Sequence, residues 1–326
     1  MGVVSSPVGP EPAGPDPGSS AVRSTPTGRL DPARCSVQAL LRGDSPVATA
    51  PPARRWLLVE QPGPWGRDAL LESRFDRRVA SRLAARAREL GVRIQLVRRP
   101  GERLTDSGRR WAIADTTPGR ESLRWSTRAD DAELLQLPWD GSVGEPTHVP
   151  TYLVCTHGAH DACCAVRGRP LARALPAAGA SADVWETSHL GGDRFAANVV
   201  VLPWGFVYGQ VPQDGRVLLD AHAGGQVAWA FLRGRAGLAP AAQAAQHHAR
   251  GELGLLGVTD LSPRRVRGLP APAPGIEQFE VTLAGPDGDV VVTVESRLST
   301  ESHRLTCAAP QPGHWRTWHP LSLRPA

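Results

Sequence analysis

Apolar residues along the chain fall into short runs broken by glycine- and proline-rich turns, the pattern of an α/β protein. Trp56-Leu57-Leu58-Val59-Glu60 halts at Pro62-Gly63-Pro64 and predicts a first strand. Ser73 opens a helix in which Phe75, Val79, Leu83, Ala87 and Leu90 recur at helical spacing, with Gly91 as its stop. Residues 93–97 return as a strand, and short strands are expected at 111–113 and 123–125.

A second strand–helix–strand order begins at Thr151-Tyr152-Leu153-Val154, whose end delivers Cys155. Pro170 suits the first position of a helix carrying Leu171, Ala174 and Leu175. Residues 182–185 read as the next strand and lead through His189 to the Gly191-Gly192 turn. The runs 198–202 and 206–208 flank Pro203-Trp204-Gly205 as a hairpin, and helical sequence is expected over 223–232. Beyond lie a helix at 240–255 and a hairpin, 278–283 with 290–294, around Pro286-Asp287-Gly288-Asp289.

These elements divide the chain into four parts. Residues 1–30, rich in Pro, Gly, Ser and Ala without a hydrophobic period, are expected to be a disordered tail. Residues 31–145 form a first small α/β module. Residues 146–235 form a second module, whose strand–helix–strand–strand–strand–helix order is close to the thioredoxin-like plan. Residues 236–326 form a C-terminal helix and β-hairpin extension.

Charge and cysteine usage narrow the classes of function. All 37 basic residues are arginines, scattered among 32 acidic residues for a net charge of +5. That scatter argues against a nucleic-acid partner, which calls for a basic face, and is compatible with docking an acidic redox partner. No apolar run reaches the roughly 18 residues of a membrane span, and no secretory signal pattern opens the chain, so a cytoplasmic location is expected. Five cysteines is an odd count, with three of them inside ten residues. A metal or redox site in a reducing compartment fits better than a disulfide framework.

The chemistry concentrates between Cys155 and Asp193, which contains Cys155, Cys163, Cys164, His157, His160 and His189 among turn glycines. Eight residues separate Cys155 from Cys164, and His189 and Asp193 stand four apart across Gly191-Gly192. Two loops at the same end of a parallel sheet can converge, so these four residues are the candidate ligands of a thiophilic metal. Two other classes compete. A structural zinc site would use Cys155, Cys163 or Cys164 with His157 or His189. A thiol-redox enzyme would use Cys163-Cys164 ahead of a helix, although no C-x-x-C is present. Cys35 and Cys307, remote in sequence, receive no role. No motif marks the paired carboxylates of glycoside cleavage.

The segments C-T-H-G-A-H-D-A-C-C-A at 155–165, W-E-T-S-H-L-G-G-D-R-F-A at 185–196 and N-V-V-V-L-P with Y-G at 198–209 resemble the sucrase/ferredoxin-like family. That family is related to the thioredoxin-like [2Fe-2S] ferredoxins. The resemblance implies an electron-transfer protein with a [2Fe-2S] cluster held by Cys155, Cys164 and His189. Where bis-histidinyl relatives carry a second histidine, this chain has Asp193. The fourth donor is then Asp193, Cys163, His157 or His160, with Asp193 favoured on spacing. No Gly-rich nucleotide fingerprint follows a strand, so an unidentified reductase and electron acceptor are the implied partners.

Overall fold

The computed structural model describes residues 31–101, 109–179 and 182–326. The N-terminal tail expected over 1–30 lies outside the described residues. In the first half, α1 (Cys35–Arg42) precedes β1 (Arg55–Glu60), α2 (Arg77–Leu90), β2 (Val92–Arg98), β3 (Arg109–Asp115), β4 (Ser122–Arg128) and β5 (Glu145–Pro146). The second half contains β6 (Thr151–Cys155), α3 (Ala162–Ala178), β7 (Asp183–Thr187), β8 (Val199–Leu202), β9 (Phe206–Tyr208), α4 (Arg216–Ala223) and β10 (Leu232–Arg235). Then come α5 (Pro240–Leu253) and strands β11 (Ser262–Leu269), β12 (Ile276–Gly285), β13 (Gly288–Leu298) and β14 (Arg316–Pro325).

The two halves share one plan. In each, a strand, a helix and a parallel strand are followed by two antiparallel strands, β2-β1-β3-β4 in the first and β7-β6-β8-β9 in the second. They join through a short antiparallel seam between β2 and β7 into one ten-stranded sheet, with β5 and β10 at its edges. Alternation along β1 sends Trp56 and Leu58 to one core and Leu57 and Val59 to another. Along β6, Leu153 and Cys155 share the core of Trp56, while Tyr152 and Val154 face a third cluster under α3. Both faces of the central strands are buried, which explains runs of apolar residues rather than strict alternation.

Local chemistry explains where several boundaries differ from expectation. The first-half helix starts at Arg77, because the Asp76 side chain caps it by accepting from the backbone N–H groups of Arg78 and Val79. Gly91, in the left-handed region at φ 61°, ends it as expected. The second-half helix starts at Ala162, two turns before Pro170, because Asp161 supplies its N-cap. Pro170 therefore lies inside α3, and Cys163 and Cys164 occupy its first turn rather than a loop. The helix expected at 223–232 is instead α4, which ends ahead of Gly224-Gly225; the following residues run through a short 3-10 turn into β10.

The C-terminal region is more than a hairpin. The expected pair forms as β12 and β13, but β11 and β14 flank it in a four-stranded antiparallel sheet packed against α5. Both added strands are edges, rich in arginine and proline, so neither displays an apolar alternation. The helix α1 packs against the Asp193–Phe195 turn of the second half, not against its sequence neighbours in the first.

Candidate metal centre

Strand pairing places the candidate donors. β6 and β7 run parallel with Cys155 opposite Thr187, so the connections leaving the two strands emerge side by side. The first connection turns directly into α3, where Asp161 Oδ1 accepts from the Cys163 N–H at 2.8 Å. Cys164 thus sits in the first turn of a helix. Gly168 lets the helix lie against the strand: a methyl group there would stand 2.0 Å from the Cys155 carbonyl oxygen.

The second connection is a turn held from behind. Gly192 has φ 75°, and a methyl group on it would lie 2.4 Å from Arg233 Nη2. The buried Arg233 guanidinium donates to the Gly191 carbonyl and to Asn198 Oδ1, both at 2.8 Å, and to Thr49. Asn198 Nδ2 in turn donates to the Gly192 carbonyl at 2.9 Å. From β2 in the first half, Arg93 and Gln95 donate to the His189 carbonyl at 2.9 and 3.3 Å. His157 Nδ1 accepts from the His189 N–H at 3.2 Å, and its other ring nitrogen bonds the Gly66 carbonyl at 2.6 Å. Backbone positioned this thoroughly leaves the His189 and Asp193 side chains free to face the cysteines.

The donors converge. Cys155, Cys164 and His189 each offer an atom within 4.8 Å of the others, as do His160, His189 and Asp193. The Cys164 thiol donates to Asp193 Oδ1 at 3.2 Å. His189 Nδ1 lies 3.1 Å from the same oxygen without the alignment of a hydrogen bond. Cys155, Cys164 and Asp193 are buried, and the half-buried His189 forms the rim. Beside it, a cavity of about 310 Å³ is lined by His160, His189, Arg93 and Leu70, among others.

Without a metal, the site holds alternating charge. Hydrogen bonding from the Cys164 thiol, with His189 adding to it, holds Cys155 well below the usual thiol range. The same contact with Cys155, together with burial, pushes Cys164 up. Burial opposes charge on His189, but the Asp193 carboxylate and Cys155 thiolate outweigh it and raise the imidazole to about 9. Burial likewise opposes charge on Asp193, and His189 outweighs it to hold the carboxyl below its ordinary range. A metal taking all four residues would displace protons from His189 and Cys164.

The alternatives for a fourth donor separate cleanly. Arg194, adjacent to Asp193, turns instead to Asp44, with Nε 3.5 Å from Oδ2. Cys163 points to the other side of α3, toward Cys35 and Cys307. Both ring nitrogens of His157 are engaged in hydrogen bonds. Only His160, stacked on His189 with ring centroids 3.7 Å apart, remains beside Asp193 at the site. The supporting residues Arg93, Gln95, Asn198 and Arg233 escaped the sequence reading because they act on carbonyls, which no side-chain motif reports. Arginine in the short strand Leu232–Arg235, where every residue is buried, was the one available signal.

A family model described as sucrase/ferredoxin-like matches residues 46–234, more than half of the chain. No curated protein and no solved structure gave a significant match. Among the described residues, no helix is long and apolar enough to cross a membrane.

Proposed function

The chain belongs to the sucrase/ferredoxin-like family, and from that premise we propose that it is an electron carrier whose Cys155, Cys164, His189 and Asp193 hold a [2Fe-2S] cluster. The observation that carries the reading is the meeting of Cys155, Cys164 and His189 within 4.8 Å of one another at the end of β6, the first turn of α3 and the turn after β7, with Asp193 in contact with both Cys164 and His189. The donors suit the group in kind, since thiolates favour ferric iron and replacing a thiolate by imidazole raises the potential. They also suit it in order, since Cys155 with Cys164 and His189 with Asp193 give one pair for each iron. When bound, such a cluster supplies reversible one-electron transfer.

The chain's own residues would set the conditions for that transfer. Arg93 and Arg233 bring positive charge to an anionic donor set, as the favourable influence of Cys155 on both guanidinium groups indicates. Trp185 shares the buried core cluster that contains Cys155 and Cys164, which keeps that face of the site apolar. His189 and His160 give the rim facing a reductase and an acceptor, with His189 positioned to exchange a proton as charge changes. The succession β6-α3-β7-β8-β9-α4 supports a thioredoxin-like assignment for the second half. Five cysteines without a disulfide suit the reducing cytoplasm.

One contact favours a second reading. At 3.2 Å, Cys164 and Asp193 are as close as two ligands of a single ion, and bridging sulfides would require the two pairs to move apart. A mononuclear zinc or iron site would accommodate that contact without such a movement. Protein purified without oxygen, with iron, zinc and acid-labile sulfide counted, separates the readings. Iron and sulfide in equal amounts are expected; iron without sulfide would make the centre mononuclear, and zinc alone or no metal would overturn electron transfer.

A further inference from the structure

We propose that Cys35, Cys163 and Cys307 form a second metal site, in which the three sulfurs and Asp161 bind one zinc ion as a structural clamp. The site lies across α3 from the first and its geometry is independent of that centre, while the iron counts in its test rest on the reading proposed above. Its sulfurs form a near-equilateral triangle: Cys35 to Cys163 is 3.5 Å, Cys163 to Cys307 is 3.4 Å, and Cys307 to Cys35 is 3.5 Å. No edge approaches the roughly 2.05 Å of a disulfide. Zinc–sulfur bonds of about 2.3 Å in a tetrahedron give edges of about 3.8 Å, close to those observed. An ion at that bond length would sit about 1 Å out of the sulfur plane, leaving one coordination position open.

Asp161 is placed to fill it. Its carboxylate is 3 % exposed, and one of its oxygens lies within 4.8 Å of all three sulfurs. Oδ1 is fixed by the Cys163 N–H at 2.8 Å, while Oδ2 accepts from the Cys307 N–H at 2.6 Å and stands 3.8 Å from Cys35 Sγ. The Cys35 N–H points to Cys307 Sγ at 3.5 Å, the kind of N–H···S contact that supports a metal-bound thiolate. Cys35 and Cys163 are buried, and the half-buried Cys307 provides the entry path.

The pattern asks more than core packing does. A lone buried cysteine behaves as a small hydrophobe, but three thiols drawn from distant segments meet here, and the carboxylate that caps α3 also brings its second oxygen to 3.8 Å from Cys35 Sγ. All four donors lie within 4.8 Å of one another, a spacing for one ion rather than for a two-iron cluster. Zinc is the biological ion that pairs thiolates with tetrahedral geometry in closed structural sites. Cys35 and Cys307 lie outside residues 46–234, so the site adds parts of the chain that the family match does not span. It would tie α1 and the segment before β14 to the first turn of the helix bearing Cys164. On binding, zinc displaces whatever thiol protons remain, and no electrons are exchanged.

The test uses the full-length protein with metals counted, and cobalt(II) replacing zinc as a spectroscopic probe. Wild type is expected to retain a zinc ion that exchanges for cobalt with tetrahedral thiolate absorption. Cys307→Ala should lose that ion while keeping the iron, whereas Cys307→His, which restores a zinc donor, should keep both. Cys155→Ser should lose iron and keep the zinc. A wild-type protein that takes up neither zinc nor cobalt at these sulfurs, or one in which mass spectrometry finds two of the three joined as a disulfide, would overturn the proposal. Zinc surviving unchanged in Cys307→Ala would overturn it equally.

Discussion

Cys163 and Cys164 are sequence neighbours on one helical turn, yet they serve opposite sides of it. Cys164 faces Cys155, His189 and Asp193, a mixed set of sulfur, nitrogen and oxygen donors that reaches the surface through His189. Cys163 faces Cys35 and Cys307, an all-sulfur triangle with Asp161 above it. The first cluster is local, drawn from the end of β6, the first turn of α3 and the turn after β7; the second spans 272 residues from Cys35 to Cys307. Mixed donors with a half-buried histidine suit reversible chemistry, whereas a closed sulfur set drawn from distant segments suits cross-linking the fold. On the proposed reading, two adjacent cysteines divide a single helix start between redox work and architecture.

Exchanging the roles of those two residues is the strongest way to break the comparison. Cys155→Ser or Cys164→Ser should remove most of the iron, because a buried thiolate ligand is lost outright. Cys163→Ser should leave the iron in place. Metal analysis of the three variants decides the matter, and retention in Cys164→Ser with loss in Cys163→Ser would reverse the assignment.

Acid sharpens the comparison by separating loss of metal from loss of fold. Burial pushes His222 and His247 down to about 4, so both are neutral in the folded protein. Unfolded histidines titrate near 6.5, so between those values the unfolded chain binds more protons. Stability from this source is complete above about 6.5, falls as pH drops, and is gone below about 4. Each histidine accounts for roughly 3 kcal/mol. Denaturant titrations across that range should show the decline, with a shallower slope in His247→Gln. A flat profile would remove burial as its cause.

A smaller effect tests how the strand and helix are joined. Gly168→Ala puts a methyl group against the Cys155 carbonyl and should cost roughly 1–3 kcal/mol through overpacking. The displaced strand end should also lower iron occupancy while leaving zinc at the second cluster. Unchanged stability and iron content would mean that the close approach does not set the position of Cys155.

Much of the first cluster was legible because its residues lie near one another in sequence. Cys155 ends an apolar strand and His189 follows another, and their spacing from Cys164 and Asp193 is visible without coordinates. The role of Asp161 as a helix cap was not read from the chain, because Pro170 offered a stronger helix-start signal two turns later. That misplacement hid the divergence of Cys163 from Cys164, which depends on both being helical. Cys35 and Cys307 carry no local signal at all, since their partner positions exist only after the C-terminal segment has folded back. Edge strands such as β14 were missed for a related reason: with two prolines and solvent on one side, their sequence carries no alternation.

The most direct test of the central claim is nitrogen hyperfine spectroscopy on the dithionite-reduced protein labelled with ¹⁵N-histidine. His189 as a ligand of the reduced iron predicts a strong coupling from directly bound nitrogen, lost in His189→Cys while the cluster remains. An iron–sulfur signal with no bound-nitrogen coupling would contradict the mixed ligand set, and with it the role assigned to the His189–Asp193 turn.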